Sequence, residues 1–276
     1  MKLTLKMVVL FFNLLLIACT NQNSDNKESE QQWLPLLNGN DLSDWTIKMG
    51  GQGLNQDVDH VFQLENGVLK VYDGKRENSV KVGHIFYHKK TYSNFRLRFE
   101  YRFTGRQYKP EEDWPVQYGG VVFHAQSPET MGHLQEYPIC LEFQLLGGKN
   151  TGERPTGNVC TIGTQVYIAD TLNPHHCINS SSPTYEGDQW VKAEIEVWSD
   201  SLVRHYINGV PVLEYTRTQI GGGFVSTSFD WIKGNVKDWE KWDAMHGTPL
   251  REGRIGIQAH DPIEFRNMEL LDLNNK

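Results

Sequence analysis

Glu142 and Gln144 stand two residues apart in the run C-L-E-F-Q-L-L at Cys140–Leu146. A strand alternates its side chains between two faces, so Leu141, Phe143 and Leu145 share one face and Glu142 and Gln144 the other. Two other segments repeat the arrangement. In Val121–Gln126, His124 and Gln126 oppose Val121, Phe123 and Ala125; in Arg254–His260, Gly256, Gln258 and His260 oppose Ile255, Ile257 and Ala259. Each segment therefore sets an apolar face against a glutamine and an ionisable group. Amides bind hydroxyls, and carboxylates and imidazoles move protons, imidazole close to neutral pH. If the three polar faces converge, they form a sugar-binding groove able to transfer protons.

The elements that must position these residues are strands. Phe95–Phe103 alternates five aromatic or aliphatic side chains with Arg96, Arg98, Glu100 and Arg102, and Trp190–Trp198 turns Val191, Ala193, Ile195 and Val197 inward. Asn208-Gly209, between Leu202–Ile207 and Val210–Tyr215, is a hairpin signal, and Glu65-Asn66-Gly67 is another between Val61-Phe62 and Val68–Val71. Thr164–Ile168 reads as a short strand. The loop Thr104–Tyr118 is rich in charge and aromatics and long enough to line a site. Gly221–Pro249 interrupts the strand spacing and carries Trp231, Trp239 and Trp242, a cluster that either stacks on sugar rings as a lid or caps the core. One short helix fits within Val236–Met245. No repeat or second domain is visible, so the spacing predicts one all-β domain, a sandwich or jelly roll of antiparallel strands.

At 276 residues the chain can bury a substantial core. A formal charge of -7 argues against a nucleic-acid partner, whereas 8 Trp and 11 Tyr suit a neutral carbohydrate. Lys2 and Lys6 precede the apolar run Met7–Ile17, which ends in Leu16-Ile17-Ala18-Cys19. That run is short for a membrane span and reads as a lipoprotein signal peptide over residues 1–18. It implies lipid on Cys19, a polar tether over 19–32 and a folded domain over 33–276. Acyl chains would hold the protein at the cell envelope, with Thr20 after the cysteine fitting an outer membrane. The three remaining cysteines, Cys140, Cys160 and Cys177, leave at least one thiol unpaired within the chain; an oxidising envelope permits a Cys160–Cys177 bridge without requiring it.

Seven segments in order resemble the 3-keto-disaccharide hydrolase family, whose domain is a concanavalin A-like jelly roll. They are L-L-N-G-N-D-L-S-D-W at Leu36–Trp45, Y-S-N-F-R-L-R-F-E-Y-R-F at Tyr92–Phe103 and G-G-V-V-F-H at Gly119–His124. L-E-F-Q-L-L at Leu141–Leu146, G-D-Q-W at Gly187–Trp190 and H-Y-I-N-G-V-P-V-L-E-Y at His205–Tyr215 follow, and G-R-I-G-I-Q-A-H-D-P-I-E-F-R-N-M at Gly253–Met268 closes the domain. Similar sequences carry an acidic residue just before the last histidine; here Ala259 stands there and Asp261 follows.

Jelly-roll glucanases use two glutamates on one Glu-x-Asp-x-x-Glu strand, and glycoside hydrolysis needs carboxylates ~5 Å apart for retention or about 6.5–9.5 Å for inversion. Gln144 and Gly147 occupy the second and third of those positions, so the standard pair is missing. Glu100, Asp261 or Glu264 could supply a partner from another strand. The resemblance implies a route that needs no such pair. A ketone at C3 acidifies the C2 hydrogen, one base removes it, and the C1 substituent leaves by elimination. Glu142, His124 and His260 then become the candidates for base and acid. Gln144, Gln258 and Arg102 become candidates for binding hydroxyls or the enolate oxygen, and Trp231 for stacking. Glu142 could equally be a structural carboxylate paired with Arg102 or Arg266. The reaction calls for no cofactor. A divalent metal on His124, Glu142 and His260 is chemically conceivable, but no close His-x-His spacing supports it. Triads of Ser, His and Asp, phosphate loops and dinucleotide fingerprints are not apparent.

Overall fold

The computed structural model describes residues 32–39, 41–74, 82–104, 117–150, 152–221 and 231–274. Cys19, the tether and most of the Thr104–Tyr118 loop lie outside the described residues. Among these, half-buried alternating sequences do what their period dictates: they pair as antiparallel strands in two sheets, with one short helix at Trp239–Ala244. The ten-stranded sheet places Asn94–Phe103 between Val191–Trp198 and Ile263–Asp272. The seven-stranded sheet runs in the order Cys177–Ile178, Asn158–Ile162, Cys140–Leu146, Tyr118–Ala125, Gly253–Ala259, Gly83–Tyr92 and Trp45–Met49.

The two sheets close on the apolar faces read from the sequence. Leu141, Phe143, Leu145, Val121, Phe123, Ile255, Ile257 and Ala259 meet Phe95, Leu97, Phe99, Tyr101 and Phe265 in one buried cluster. Phe99 packs on Phe143 edge-on at 6.0 Å and on Phe265 at 5.8 Å between ring centroids. Aromatic geometry of this kind adds to the gain from burial itself. Both hairpins form where Asn-Gly marks them: Asn66 and Gly67 have φ of 52° and 75°, Asn208 and Gly209 of 49° and 79°. These left-handed conformations match the twist of the flanking strands.

The seven-stranded sheet has a second apolar layer on its outer face. Phe86, Val122, Ala125, Cys140 and Ile162 are covered by Met131, Ile139, Trp231 and Val236. Only part of that face is covered in this way. The remainder carries polar side chains, and they form the candidate site. Cys160 and Cys177 are joined by a disulfide, and Cys140 is a free, buried thiol.

Candidate active site

Cross-strand register sets the floor of the site. Gln258 lies opposite both His84 and Gly120, Gly120 opposite Gln144, and Gln144 opposite Asn158. Glu142 is two residues back along its strand, opposite Val122 and Cys160. The alternation that buries Leu141, Phe143 and Leu145 between the sheets leaves no other face for Glu142 and Gln144.

Glu142 is 1% exposed. Its Oε2 accepts a hydrogen bond from the Tyr118 hydroxyl at 3.1 Å, while Oε1 is buried with no hydrogen-bond partner. Removing the carboxylate from water raises its pKa to about 8, and the Tyr118 bond only partly opposes this. Burial and the neighbouring carboxylate together push the Tyr118 phenol well above its ordinary range. The Tyr118 ring stands edge-on to His260 at 4.4 Å between centroids. Asp261 Oδ2 accepts the Tyr118 backbone N–H at 3.0 Å and lies 3.4 Å from His260 Nδ1. Arg154 Nη1 donates to the carbonyls of Gln117 and Gly147, fixing the chain on either side of this constellation. Gln144 Oε1 accepts from Asn158 at 2.8 Å.

Gly120 makes room for the carboxylate. A Cβ at this position would stand 2.4 Å from Glu142 Oε1, far inside van der Waals contact. Gly120→Ala is therefore expected to displace the carboxylate and to lower any proton transfer it performs by about 10²-fold, the scale of an ångström-sized misplacement. Circular dichroism should show the fold retained, and a carboxylate left unmoved in a crystal structure of that variant would contradict the expectation.

Glu142, His260, Gln258 and Gln144 thus share one face, as the alternation predicts. Three other predicted residues do not join them. His124 sits at a bulge with φ of 45°, where the register between Tyr118–Ala125 and Gly253–Ala259 shifts. The break sends its ring inward, edge-on to Phe95 and Phe123, with Nε2 3.4 Å from the Ser93 carbonyl. Burial holds its pKa down to about 4. Ala125, expected between the sheets, moves to the outer layer instead. Arg102 belongs to the ten-stranded sheet, where it pairs with Glu264 at 2.8 Å and lies over Trp190. Trp231 is 6% exposed and serves as a cap: its ring abuts Gly163, and its Nε1 donates to Asp243 at 3.2 Å.

Two of the three candidate partner carboxylates are also excluded. Glu100 and Glu264 face Arg266 and Arg102 on the other sheet, so only Asp261 lies near Glu142, with Tyr118 between. Of the three conceivable metal ligands, His124 turns inward, away from Glu142 and His260, so the three do not converge. Among the described residues, one group has metal-like spacing, Cys160, His176 and Cys177. Both of its sulfurs are spent in the disulfide, and a thiolate is what a metal binds. The sequence reading placed Tyr118 at the end of a loop able to line a site but gave it no role there. The signal was there: Tyr118, Gly120 and Val122 alternate onto the same face as Glu142.

Comparison with known proteins gives no match among curated sequences. Among solved structures, a candidate glycosyl hydrolase from Parabacteroides distasonis aligns at 20% identity over 88% of this chain and 95% of its own, with a TM-score of 0.48. A Bacillus subtilis protein with a galectin-like fold aligns at 14% identity over 87% and 94%, with a TM-score of 0.45. The metal-free carbohydrate recognition domain of Emp46p aligns at 15% over 87% and 98%, with a TM-score of 0.43. The family comparison is decisive: residues 32–271 match the 3-keto-alpha-glucoside-1,2-lyase-like domain, and the chain belongs to that family.

Proposed function

We propose that the chain cleaves 3-keto-α-glucosides, with Glu142 as the base that takes the C2 proton. The observation that carries this reading is a lone buried carboxylate, raised to about pKa 8, with one oxygen free of protein partners. A base of that strength is matched to a carbon acid at near-neutral pH. The C–H electron pair passes into the C2–C3 bond and onto the C3 oxygen. The enolate then collapses, a C1–C2 double bond forms, and the C1 substituent departs with its electron pair. Tyr118, in contact with both Glu142 and His260, is the candidate to return a proton to the departing oxygen. Water adding across C1 and C2 afterwards makes the net change a hydrolysis.

A non-catalytic sugar-binding protein remains the alternative, but it has no use for a carboxylate held in so costly an environment. Incubation with a 3-keto-disaccharide and with its unoxidised parent separates the two. Release of monosaccharide from the keto form alone is expected. Binding of both without release would favour the module. The pH profile carries a second expectation: kcat/KM should rise with pH and level off above about 8, because only ionised Glu142 accepts a proton. A profile falling through that range would assign Glu142 the acid role.

The leader sequence supports a further element of the proposal, that lipid on Cys19 tethers the domain to a bacterial envelope membrane. Metabolic labelling with a fatty acid, lost in Cys19→Ser, is the expected result.

A further inference from the structure

Beside Glu142, the same outer face holds four buried polar atoms without a hydrogen bond of ordinary geometry, the Glu136 backbone alone reaching the His84 ring. They are Nδ1 and Nε2 of His84 and Nε2 and Oε1 of Gln258. Both residues are 0% exposed. They lie opposite one another on neighbouring strands, with Gln258 in turn opposite Gly120, the residue under the Glu142 carboxylate. An unsatisfied buried donor or acceptor costs about 1–3 kcal/mol, and proteins keep few of them. Two adjacent side chains, the Gln258 amide unpartnered at both atoms and the His84 ring reached only by the Glu136 backbone, point to a ligand.

Their neighbours say which kind. His84 is wedged against Phe86 at 5.8 Å and edge-on to Tyr137 at 6.0 Å between centroids, so the ring orientation is fixed. Lys48, opposite His84 on the next strand, is 3% exposed and directs its ammonium to the carbonyls of Met49, His133 and Gln135. Its three donors are thus spoken for, and it offers none to an anion. Burial holds His84 neutral, with a pKa of about 3; a hydrogen bond to the Glu136 backbone opposes this, and the Lys48 charge adds to it. A neutral imidazole presents one donor and one acceptor, and a primary amide both kinds again. Neighbouring hydroxyls offer the same mixture. A carboxylate or phosphate offers acceptors only and would face the imidazole nitrogen, the amide oxygen and Glu142.

Resting on the catalytic reading above, we propose that His84 and Gln258 form a subsite for neutral vicinal hydroxyls of the glycoside, remote from the reacting carbon, and that this subsite selects uncharged sugars over uronosides. With strands spaced ~4.8 Å apart, Gln258 is one strand and His84 two strands from Gly120. The subsite therefore extends from the reacting centre toward Trp45–Met49.

The test uses His84→Phe and Gln258→Leu, made in the full chain. Binding of methyl α-D-glucopyranoside, its 3-keto form and methyl α-D-glucuronoside is measured by calorimetry in the Glu142→Gln background, where nothing is consumed. Each variant is expected to bind both neutral glycosides at least tenfold more weakly, while the unliganded melting temperature stays level or rises because an orphaned polar group is gone. The uronoside should bind the parent at least tenfold more weakly than the neutral sugars. Unchanged affinity in both variants, equal affinity for the uronoside, or no glycoside binding by the parent overturns the subsite. If neutral sugars bind as expected but the wild type releases nothing from a 3-keto-glucoside, the lyase reading fails and the subsite stands. Wild-type turnover with KM unaltered in both variants gives the converse.

Discussion

Glu142→Gln is expected to lower kcat/KM toward a 3-keto-glucoside by roughly 10³-fold, within the range that a positioned general base contributes. The substitution keeps shape and volume. The amide oxygen can still accept from the Tyr118 hydroxyl, so the 3.1 Å contact and the surrounding packing have no reason to change. What disappears is the ability to bind a proton, because an amide is not a base near neutral pH. Steady-state kinetics on the soluble domain measure the effect, with a crystal structure or a melting curve as the control for folding. A variant retaining activity within tenfold of wild type would remove Glu142 from the chemistry and shift attention to His260 and Asp261.

The same variant should also be the more stable protein, increasingly so as pH rises. The Glu142 pKa lies at about 8 in the folded state against 4.5 for the free side chain. Between those values the folded chain holds a proton that the unfolded chain has released. Wild-type stability therefore falls through this window and flattens above it. Glutamine has no proton to lose. Relative to wild type its advantage should open from pH 4.5 and reach on the order of 3–5 kcal/mol near pH 8, at 1.36 kcal/mol per unit. For a domain of this size that is on the order of 10 °C in melting temperature. Melting curves at pH 5 and pH 8 decide the matter; a difference that does not change with pH would mean that burial does not perturb this carboxylate. Loss of activity together with gain of stability is the trade that an enzyme site makes and a structural carboxylate does not.

How far the sequence could be read depends on whether period two survives. In Cys140–Leu146 and Gly253–Ala259 it does, and Glu142, Gln144, Gln258 and His260 fall where alternation puts them. In Tyr118–Ala125 it fails at one residue. His124 takes a left-handed backbone that no local pattern announces, and the counterpart is Gly253 on the next strand, where a Cβ would stand 2.2 Å from the His124 carbonyl carbon. Arg102 illustrates a different limit. Its face within the strand is correct, but alternation does not say which sheet a strand joins, and pairing with Ile263–Asp272 commits it to the far side of the molecule. Trp231 was open between platform and cap, and only the packing of residues remote in sequence closes that choice. His84 was invisible for a simpler reason. In Gly83–Tyr92 the buried residues run on without alternation, so nothing in the sequence marks the histidine, which pairing brings onto the floor beside Gln258.

The Cys160–Cys177 bond fastens a strand of two residues, Cys177–Ile178, along the flank of Asn158–Ile162. The covalent link adds to the hydrogen bonds that hold so short a ribbon, among them Thr161 N–H to the His176 carbonyl and Ser180 N–H to Asn158 Oδ1, each 2.8 Å. Were the ribbon released, Asn158–Ile162 would present bare backbone donors and acceptors to any passing chain, the usual starting point for edge-to-edge polymerisation. The bond thus guards solubility as well as shape, and a preparation made under reducing conditions should be the one that precipitates.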